Sequence, residues 1–341
     1  MMSYDKKLPL HVLSGFLGSG KTTLLKGWLD QQNLNDVALL VNEFGEIGID
    51  HHLLNEVASD TVLLPSGCVC CQIRGELKAA LLDLYERRIR GLIPAFHHVV
   101  LETTGLADPA PILSTLLHDR QLRNHFVQGT LVTLIDAEHA RHQADSQPEW
   151  LAQVSAADKL LVSKSDRVST EEAAALRKWL RQLNPLAELG DTRQALDAPA
   201  WLFRSEVVRG SPEQRVRWLG ACAEKTFTLM PTPYSEAHPA TQTCVISLKR
   251  SLNWPAFAIW LSMLLHCHGS AVLRVKGILR VSDSDSPVVI HGVQHTLHPP
   301  VHLRDWPGTL ESSTLVFILR GLEASSLQQA FSRYMHLLQE S

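Results

Sequence analysis

One short segment near the amino terminus constrains the fold of this chain more than any other. Residues 15–22 read Gly-Phe-Leu-Gly-Ser-Gly-Lys-Thr and directly follow the apolar run Leu10–Leu13. This is the G-x-x-x-x-G-K-T pattern of a phosphate-binding loop between a strand and a helix. In such a loop, backbone N–H groups surround the phosphates, the lysine reaches the β/γ oxygens and the threonine hydroxyl binds Mg²⁺. We therefore predict a nucleotide site here, with a glycine-rich turn that binds no ligand as the alternative.

Short apolar runs alternate with longer helical patterns from Leu8 to about Phe203. This alternation is typical of βαβ units and predicts an α/β domain with a mainly parallel sheet. The predicted strands are Leu10–Leu13, Val37–Asn42, Thr61–Leu64, His98–Leu101, Thr130–Ile135 and Lys159–Ser163. The predicted helices are Lys21–Gln31, Glu76–Ile89, Pro109–His118 and Thr170–Leu183, the last with Ser169 as its N-cap.

The pattern changes after this region. A chain of 341 residues is long enough for about two domains. Residues 210–240 contain four prolines and few sustained apolar runs, so we predict an interdomain linker there. The predicted organisation is a P-loop domain over 1–209, the linker over 210–240 and a smaller α+β domain over 241–341. The predicted elements of the second domain are strands Thr243–Leu248, Val272–Val281, Val288–Val293 and Ser313–Leu319, and helices Trp254–Leu265 and Ser325–Leu338.

Composition excludes several classes of protein. The net charge of −3 gives no reason to expect nucleic acid or an anionic membrane as a partner, because such binding needs a basic surface. The longest apolar segment, Trp254–Leu265, is too short to span a bilayer, and we interpret it as a buried helix. Six cysteines are too few for a disulfide scaffold, and three of them fall within residues 68–71. This usage indicates reduced thiols and a cytoplasmic protein.

A second motif concerns the base of the nucleotide. Residues 163–166, at the end of a predicted strand, read Ser-Lys-Ser-Asp and resemble the N-K-x-D guanine motif of GTPases. The carboxylate of Asp166 can accept both the N1–H and the exocyclic amine of guanine, whereas adenine offers an acceptor at N1. Ser163 replaces the usual asparagine, which removes an amide contact. The motif favours GTP over ATP, with an exposed polar turn as the alternative.

A third motif lies at the end of another apolar run. Val99–Leu101 is followed by Glu102, at the position where a carboxylate would lie beside Mg²⁺. Leu106 follows Gly105 where Ras-like enzymes carry a water-orienting glutamine, so we expect slow intrinsic hydrolysis. The predicted catalytic residues are Lys21, Thr22 and Glu102. The predicted nucleotide-binding residues are Gly15, Gly18, Ser19, Gly20, Lys21, Thr22, Thr23, Ser163, Lys164 and Asp166.

Three cysteines crowd into the sequence Cys68-Val69-Cys70-Cys71. They can supply three thiolates to Zn²⁺ and leave the fourth position for Glu46, a histidine, water or a ligand from a partner. An incomplete shell of this kind suits metal transfer. Adjacent cysteines point in different directions on any regular element, which argues against three buried structural thiols. A redox role is a further alternative.

The order of these motifs resembles that of the CobW family of P-loop GTPases, which includes zinc-transferring chaperones. The matching segments are Gly15–Thr22, Asn42–Glu46, Gly67–Cys71, Glu102–Gly105 and Ser163–Asp166, with Arg274–Gly277 similar to the family's C-terminal region. The resemblance implies a metallochaperone GTPase that uses GTP/GDP, Mg²⁺ and Zn²⁺. It also implies that Cys68, Cys70 and Cys71 bind zinc with Glu46 nearby. The histidine-rich linker of many relatives is absent, so no auxiliary metal store is expected.

Histidines recur in the second domain. They are His266, His268, His291, His295, His298 and His302. We interpret the first two as the end of a helix near Gly269, and the other four cannot share one helix face because Pro299 and Pro300 interrupt them. A secondary metal site or a client contact is the alternative.

These motifs lead to one main functional hypothesis. We expect a cytoplasmic GTP-hydrolysing zinc chaperone whose nucleotide state controls whether the cysteine site holds zinc or releases it to a client metalloprotein. The client's identity and a homo-oligomeric state are left open. One alternative is a metal-sensing regulatory module that binds a partner without transferring metal. A small-molecule kinase is another, but it gives no role to the three cysteines or to Asp166.

Overall fold

Among the residues that the structure describes, seven parallel strands form the sheet of the first domain. The computed structural model of the protein describes residues 7–30, 36–41, 62–63, 72–202, 241–248, 250–282, 284–303, 306 and 312–337. The strands are β1 (Leu8–Gly15), β2 (Val37–Val41), β3 (Val62–Leu63), β4 (His98–Glu102), β5 (Phe126–Asp136), β6 (Lys159–Ser163) and β7 (Glu188–Asp191). Their order across the sheet is β3-β2-β4-β1-β5-β6-β7. The order changes direction at β1, which lies between β4 and β5.

Helices connect these strands. They are α1 (Lys21–Asp30), α2 (Gln72–Ile89), α3 (Pro109–His118), α4 (Leu122–His125), α5 (Ala140–Ser146), α6 (Pro148–Ala156), α7 (Thr170–Leu183), α8 (Thr192–Asp197) and α9 (Pro199–Leu202). Helices α3 and α7 begin and end at the predicted residues. Ser169 Oγ accepts a hydrogen bond from Glu172 N, and the Glu172 carboxylate accepts one from Ser169 N, so the predicted N-cap of α7 forms a capping box.

Strand burial explains the near-continuous apolar runs of the sequence. All five residues of β6 are buried, as are seven of the eight in β1. Strands of a parallel sheet are covered on both faces, so they need not alternate between apolar and polar residues. One packed cluster joins β1, β2, β4, β5 and β6 to α1, where Trp28 is fully buried.

Two histidines on adjacent strands of this sheet, His11 on β1 and His98 on β4, contact each other. His11 Nδ1 accepts a hydrogen bond of 3.0 Å from Thr130 N, so its proton is on Nε2, which lies 3.1 Å from His98 Nδ1. Burial, together with the nearby His98 and Lys159, lowers the pKa of His11 to about 3. His11 is therefore a neutral structural side chain at physiological pH.

The second domain is built on a smaller antiparallel sheet. Its strands are β8 (Thr241–Leu248), β9 (Val272–Val281), β10 (Ser284–Val293), β11 (Thr296–Leu297), β12 (Val301–His302) and β13 (Ser313–Arg320). The order is β11-β10-β9-β13-β8, with β12 paired to β10. Helices α10 (Trp254–His268) and α11 (Ala324–Leu337) contribute Phe257, Trp260 and Phe331 to the core of this domain.

The structure confirms the predicted fold class: an α/β P-loop domain followed by a smaller α+β domain, and the chain divides into two compact units. The predicted linker, 210–240, lies outside the described residues. The prediction that Trp254–Leu265 is buried is only partly right, because Ile259 and Met263 on α10 are exposed. Within the described part of the chain, no helix has the length and apolar character needed to cross a membrane.

Candidate nucleotide site

The phosphate loop joins β1 to α1. Strand β1 ends at Gly15 and α1 begins at Lys21, as the motif predicts. Gly18 and Gly20 have φ angles of 73° and 94°, in the left-handed region that glycine adopts without steric cost. These angles turn the backbone tightly before the first turn of α1. The N-terminus of α1 therefore faces the space that the loop encloses, as phosphate binding requires.

Lys21 lies over this loop. Its side chain is buried, and Nζ donates hydrogen bonds to the carbonyl oxygens of Gly15 at 2.8 Å and Phe16 at 3.3 Å. Burial lowers the pKa of Lys21, while the nearby Glu102 carboxylate raises it. The ammonium group is thus held beside the loop by backbone acceptors that a phosphate can replace.

The two residues predicted to bind Mg²⁺ are in direct contact. Thr22 Oγ1, in the first turn of α1, donates a hydrogen bond of 3.0 Å to Glu102 Oε1 at the end of β4. Glu102 is buried. A hydroxyl and a carboxylate are hard oxygen donors of the kind that Mg²⁺ prefers. Their contact fits the predicted role, which remains a prediction.

Ser19 provides a further test of whether the loop suits a phosphate. Its hydroxyl is buried and makes no hydrogen bond within the described residues. An unsatisfied buried hydroxyl costs free energy, and a phosphate oxygen would satisfy it. Thr23, which was also predicted to contact the nucleotide, is exposed on α1. The loop therefore fits a phosphate through Ser19, Lys21 and its backbone amides.

The candidate base-recognition motif is tied to the phosphate loop. Ser163 Oγ donates a hydrogen bond of 2.7 Å to the carbonyl oxygen of Ser19. Although Ser163 lacks the amide of the usual asparagine, its hydroxyl connects the end of β6 to the phosphate loop. Asp166 is exposed in the short 3-10 turn Ser165–Arg167 that follows. It is accessible to a base bound beside the loop.

Lys164 is held by the carboxylate of Asp136, which belongs to none of the sequence motifs. Its backbone has a φ of 54°, and Nζ donates a hydrogen bond of 2.7 Å to Asp136 Oδ2. The same carboxylate lies 3.1 Å from His139 Nδ1 and accepts a backbone hydrogen bond from Glu138 N through Oδ1. Burial would raise the pKa of Asp136, but the hydrogen bonds from Lys164 and His139 outweigh it and lower this pKa. Asp136 therefore stays ionised and anchors Lys164.

The side chains of the phosphate, magnesium and base motifs all lie at the carboxyl-terminal edge of the parallel sheet. They come from the carboxyl ends of β4, β1, β5 and β6, which are adjacent strands. Ligands bind at this edge of an open α/β sheet, near the strand where the order changes direction. The topology thus brings the phosphate, magnesium and base motifs together.

The predicted zinc ligands cannot be placed relative to this site. Glu46, Cys68, Cys70 and Cys71 lie outside the described residues, as does the whole segment Asn42–Glu46. Their role stays a prediction.

The histidines of the second domain are largely parts of the fold. His266 and His268 are exposed at the end of α10, which ends at the residue before Gly269. His295 Nδ1 lies 2.8 Å from the carbonyl oxygen of Leu265. The rings of His291 and His298 stack with centroids 4.2 Å apart. These contacts agree with the structural interpretation of the sequence.

Two residues of the site were missed by sequence reasoning. Asp136 had a signal, because it follows the apolar run Thr130–Ile135 just as Glu102 follows Val99–Leu101. Gln153 had none: it is one of three polar residues on α6, with Glu149 and Ser155, and the sequence does not distinguish it. In the structure it is fully buried and donates a hydrogen bond to the turn after Glu102.

Fold and site define a P-loop nucleotide-binding protein. The family described as "CobW/HypB/UreG, nucleotide-binding domain" matches residues 9–190, and "Cobalamin synthesis protein cobW C-terminal domain" matches residues 241–335. The chain belongs to the CobW/HypB/UreG family, which confirms the predicted resemblance.

Curated relatives and a solved structure are similar to this chain over much of its length. "Zinc chaperone YjiA" of Escherichia coli is 30% identical over 328 residues, which cover 94% of this chain and 96% of the relative. "Zinc-regulated GTPase metalloprotein activator 1" of Schizosaccharomyces pombe is 32% identical over 202 residues, covering 56% of this chain and 48% of that protein. The crystal structure of Zn(II)-bound YjiA GTPase from E. coli matches with a TM-score of 0.68 and 26% identity, over 96% of this chain and 99% of the other.

Proposed function

We propose that this protein is a GTP-hydrolysing zinc chaperone that carries zinc on Cys68, Cys70 and Cys71 and delivers it to a client metalloprotein. The names of its relatives, a zinc chaperone and a zinc-regulated GTPase metalloprotein activator, support this function. Nucleotide binding is assigned to the phosphate loop, with Asp166 selecting guanine.

The observation that carries the proposal is the register of β3, β2 and β4. Val41, the last residue of β2, pairs with Glu102 on one side and with Leu63, the last residue of β3, on the other. Asn42 follows Val41 directly, and Gly67 follows Leu63 by four residues, which span at most about 14 Å. Val41 and Leu63, the last described residues before the two segments proposed to hold zinc, are thus level with the carboxylate proposed to lie beside Mg²⁺. This register supports a coupling in which a change at the γ-phosphate alters zinc binding.

The residues have separate roles in this proposal. Lys21 binds the β/γ phosphates, Thr22 and Glu102 hold Mg²⁺, and Lys164 and Asp166 bind the base. Mg²⁺ bound there neutralises charge that develops on the phosphates. Thiolates bind zinc, and Glu46 completes or borders that shell. Leu106 cannot orient water as a glutamine would, so hydrolysis is expected to be slow without a partner.

The proposal also assigns the domains and the compartment. The P-loop domain over 1–209 binds nucleotide and zinc, and the domain over 241–341 recognises the client. The cytoplasm is the proposed compartment because it keeps thiols reduced.

Metal analysis of the reduced protein tests this function. We expect bound zinc in the wild type, its loss in Cys70→Ser, and its retention in Cys267→Ser, a matched control with an exposed cysteine on α10. Zinc-loaded protein with GTP should then transfer zinc to a metal-free client faster than with GDP. A client that binds the GTP form and gains no zinc would support a metal-sensing module and contradict the chaperone function.

A further inference from the structure

We propose that Gln153 is a positioning residue for GTP hydrolysis, which fixes the turn after Glu102 against the phosphate loop. This inference rests on the proposed GTPase function. It concerns a residue of α6 that lies far from the site in sequence.

The side chain of Gln153 holds two carbonyl groups of that turn. Nε2 donates hydrogen bonds of 3.0 Å to Gly105 O and 3.0 Å to Ala107 O. Gln153 is fully buried, and its Oε1 makes no hydrogen bond within the described residues. The amide is therefore oriented by the turn alone. Burial shields both hydrogen bonds from water, which makes them costly to break.

Gln153 itself has a rigid support. Its backbone carbonyl accepts a hydrogen bond of 3.1 Å from Thr133 Oγ1, on β5. Strand β5 pairs with β1, which leads into the phosphate loop. Gln153 thus links the turn to the strand beside the nucleotide site.

The turn touches the phosphate loop. A Cβ atom placed on Gly105 would lie 2.6 Å from the backbone nitrogen of Leu17 and 2.5 Å from its side chain, so only glycine permits this approach. Ala107 N donates to Thr104 O at 3.1 Å, which closes the turn. Gln153 bonds both ends of the segment Gly105–Ala107. A shift of this segment would change its distance from the loop that holds the γ-phosphate.

The chemical consequence concerns the triphosphate state. The γ-phosphate is the part of GTP that GDP lacks, and segments beside it respond to its presence in GTPases. Misplacing such a segment by about 1 Å can lower a rate on the order of 100-fold. Gln153 is therefore expected to support hydrolysis and binding of the triphosphate, and to contribute little to the binding of GDP.

Gln153→Met is the first test, because methionine has a similar length and no donor. We expect kcat for GTP to fall about 10- to 100-fold and GDP affinity to change less than about threefold. Gln143→Met, at another buried glutamine on α5, is the matched control and should leave kcat unchanged. Equal losses of GDP and GTP-analogue affinity, with no separate loss of kcat, would overturn the proposal.

Gln153→Glu is the second variant and keeps the test decisive if Gln153→Met does not fold. An ionised glutamate has no donor for the two carbonyls, whereas the protonated acid can donate one hydrogen bond. The kcat of this variant relative to the wild type should rise as the pH falls from about 8 to about 5.5. A ratio that stays constant with pH contradicts a positioning role. Absence of hydrolysis by the wild type would instead contradict the proposed function.

Discussion

The carboxyl edge of the first sheet and the histidine-rich part of the second domain both gather polar residues, but in different ways. At the sheet edge, Lys21, Thr22, Glu102 and Ser163 come from segments far apart in sequence and meet through the order of four parallel strands. In the second domain, the histidines are close in sequence: His295 contacts a backbone carbonyl and His291 stacks on His298, whereas His266, His268 and His302 are exposed. For these histidines, closeness in sequence is therefore not evidence of a site, whereas the groups at the sheet edge converge through the topology of the strands.

The largest expected effect comes from removing the ammonium group of the sheet edge. Lys21→Ala should lower kcat/KM for GTP at least about 100-fold, because a charge-assisted contact to the phosphates is lost in a buried site. Lys26→Ala, on the same helix, is the matched control and should retain activity. Steady-state hydrolysis assays measure both. Normal activity in Lys21→Ala would show that convergence at this edge has no chemical role.

A buried histidine of the first domain that belongs to the fold should affect stability instead. The folded pKa of His11, about 3, lies below its unfolded value of about 6.5, so the unfolded chain binds the extra proton in between. The contribution of His11 to the free energy of unfolding is complete above about pH 6.5 and decreases as the pH falls toward 3. Between pH 7 and pH 5 the free energy of unfolding falls by about 2 kcal/mol through this group.

His11→Asn tests that sign, because the amide oxygen can still accept from Thr130 N. The melting temperature of the variant should fall less between pH 7 and pH 5 than that of the metal-free wild type. His142→Asn, at an exposed site, should follow the wild type. The same pH dependence in all three proteins would remove His11 as the cause.

Asp136 should have a smaller and more selective effect. Asp136→Asn weakens the ion pair that holds Lys164, so GTP affinity should fall about 10-fold and ATP affinity less. Asp119→Asn, which breaks the ion pair with Lys78 at 2.8 Å in the same domain, is the matched control. Competition binding with GTP and with ATP gives the ratio of the two affinities for each variant. Equal losses for GTP and ATP would limit Asp136 to a structural role.

The smallest effect is expected in the second domain. His266→Ala and His302→Ala remove exposed imidazoles and should leave zinc stoichiometry and affinity within about twofold of the wild type. Titration with zinc under reducing conditions checks this. Loss of a zinc equivalent in either variant would establish a second metal site and weaken the contrast between the domains.

The site is predictable from sequence where the chemistry follows local spacing. The phosphate loop encodes its own strand, turn and helix, and Glu102 is identified because it ends an apolar strand. The Asp136–Lys164 contact depends on β5 and β6 being neighbours, which neither segment specifies alone. Gln153 depends on how α6 packs against β5. A lone glutamine in a nine-residue helix is indistinguishable from a surface residue in sequence.

The fold is likewise predictable where an element is long enough to show a pattern in the sequence, and not where the element is short. Long amphipathic helices and apolar strands, such as α7 and β6, begin and end as predicted because burial sets their pattern. The short elements α5, α6 and β7 were not predicted, since seven, nine and four residues carry too little periodicity.

The central claim is that nucleotide state controls zinc binding, and paired titrations test it most directly. Zinc affinity is measured with GDP and with a non-hydrolysable GTP analogue, and the affinity of each nucleotide is measured with and without zinc. We expect zinc affinity to differ between the two nucleotide states by about 5- to 150-fold, with the same factor in the reverse titration, because linkage is reciprocal. Cys70→Ser should abolish both effects and leave zinc-free GTP binding intact. Equal zinc affinity in every nucleotide state would contradict the account and leave the cysteines as a static site.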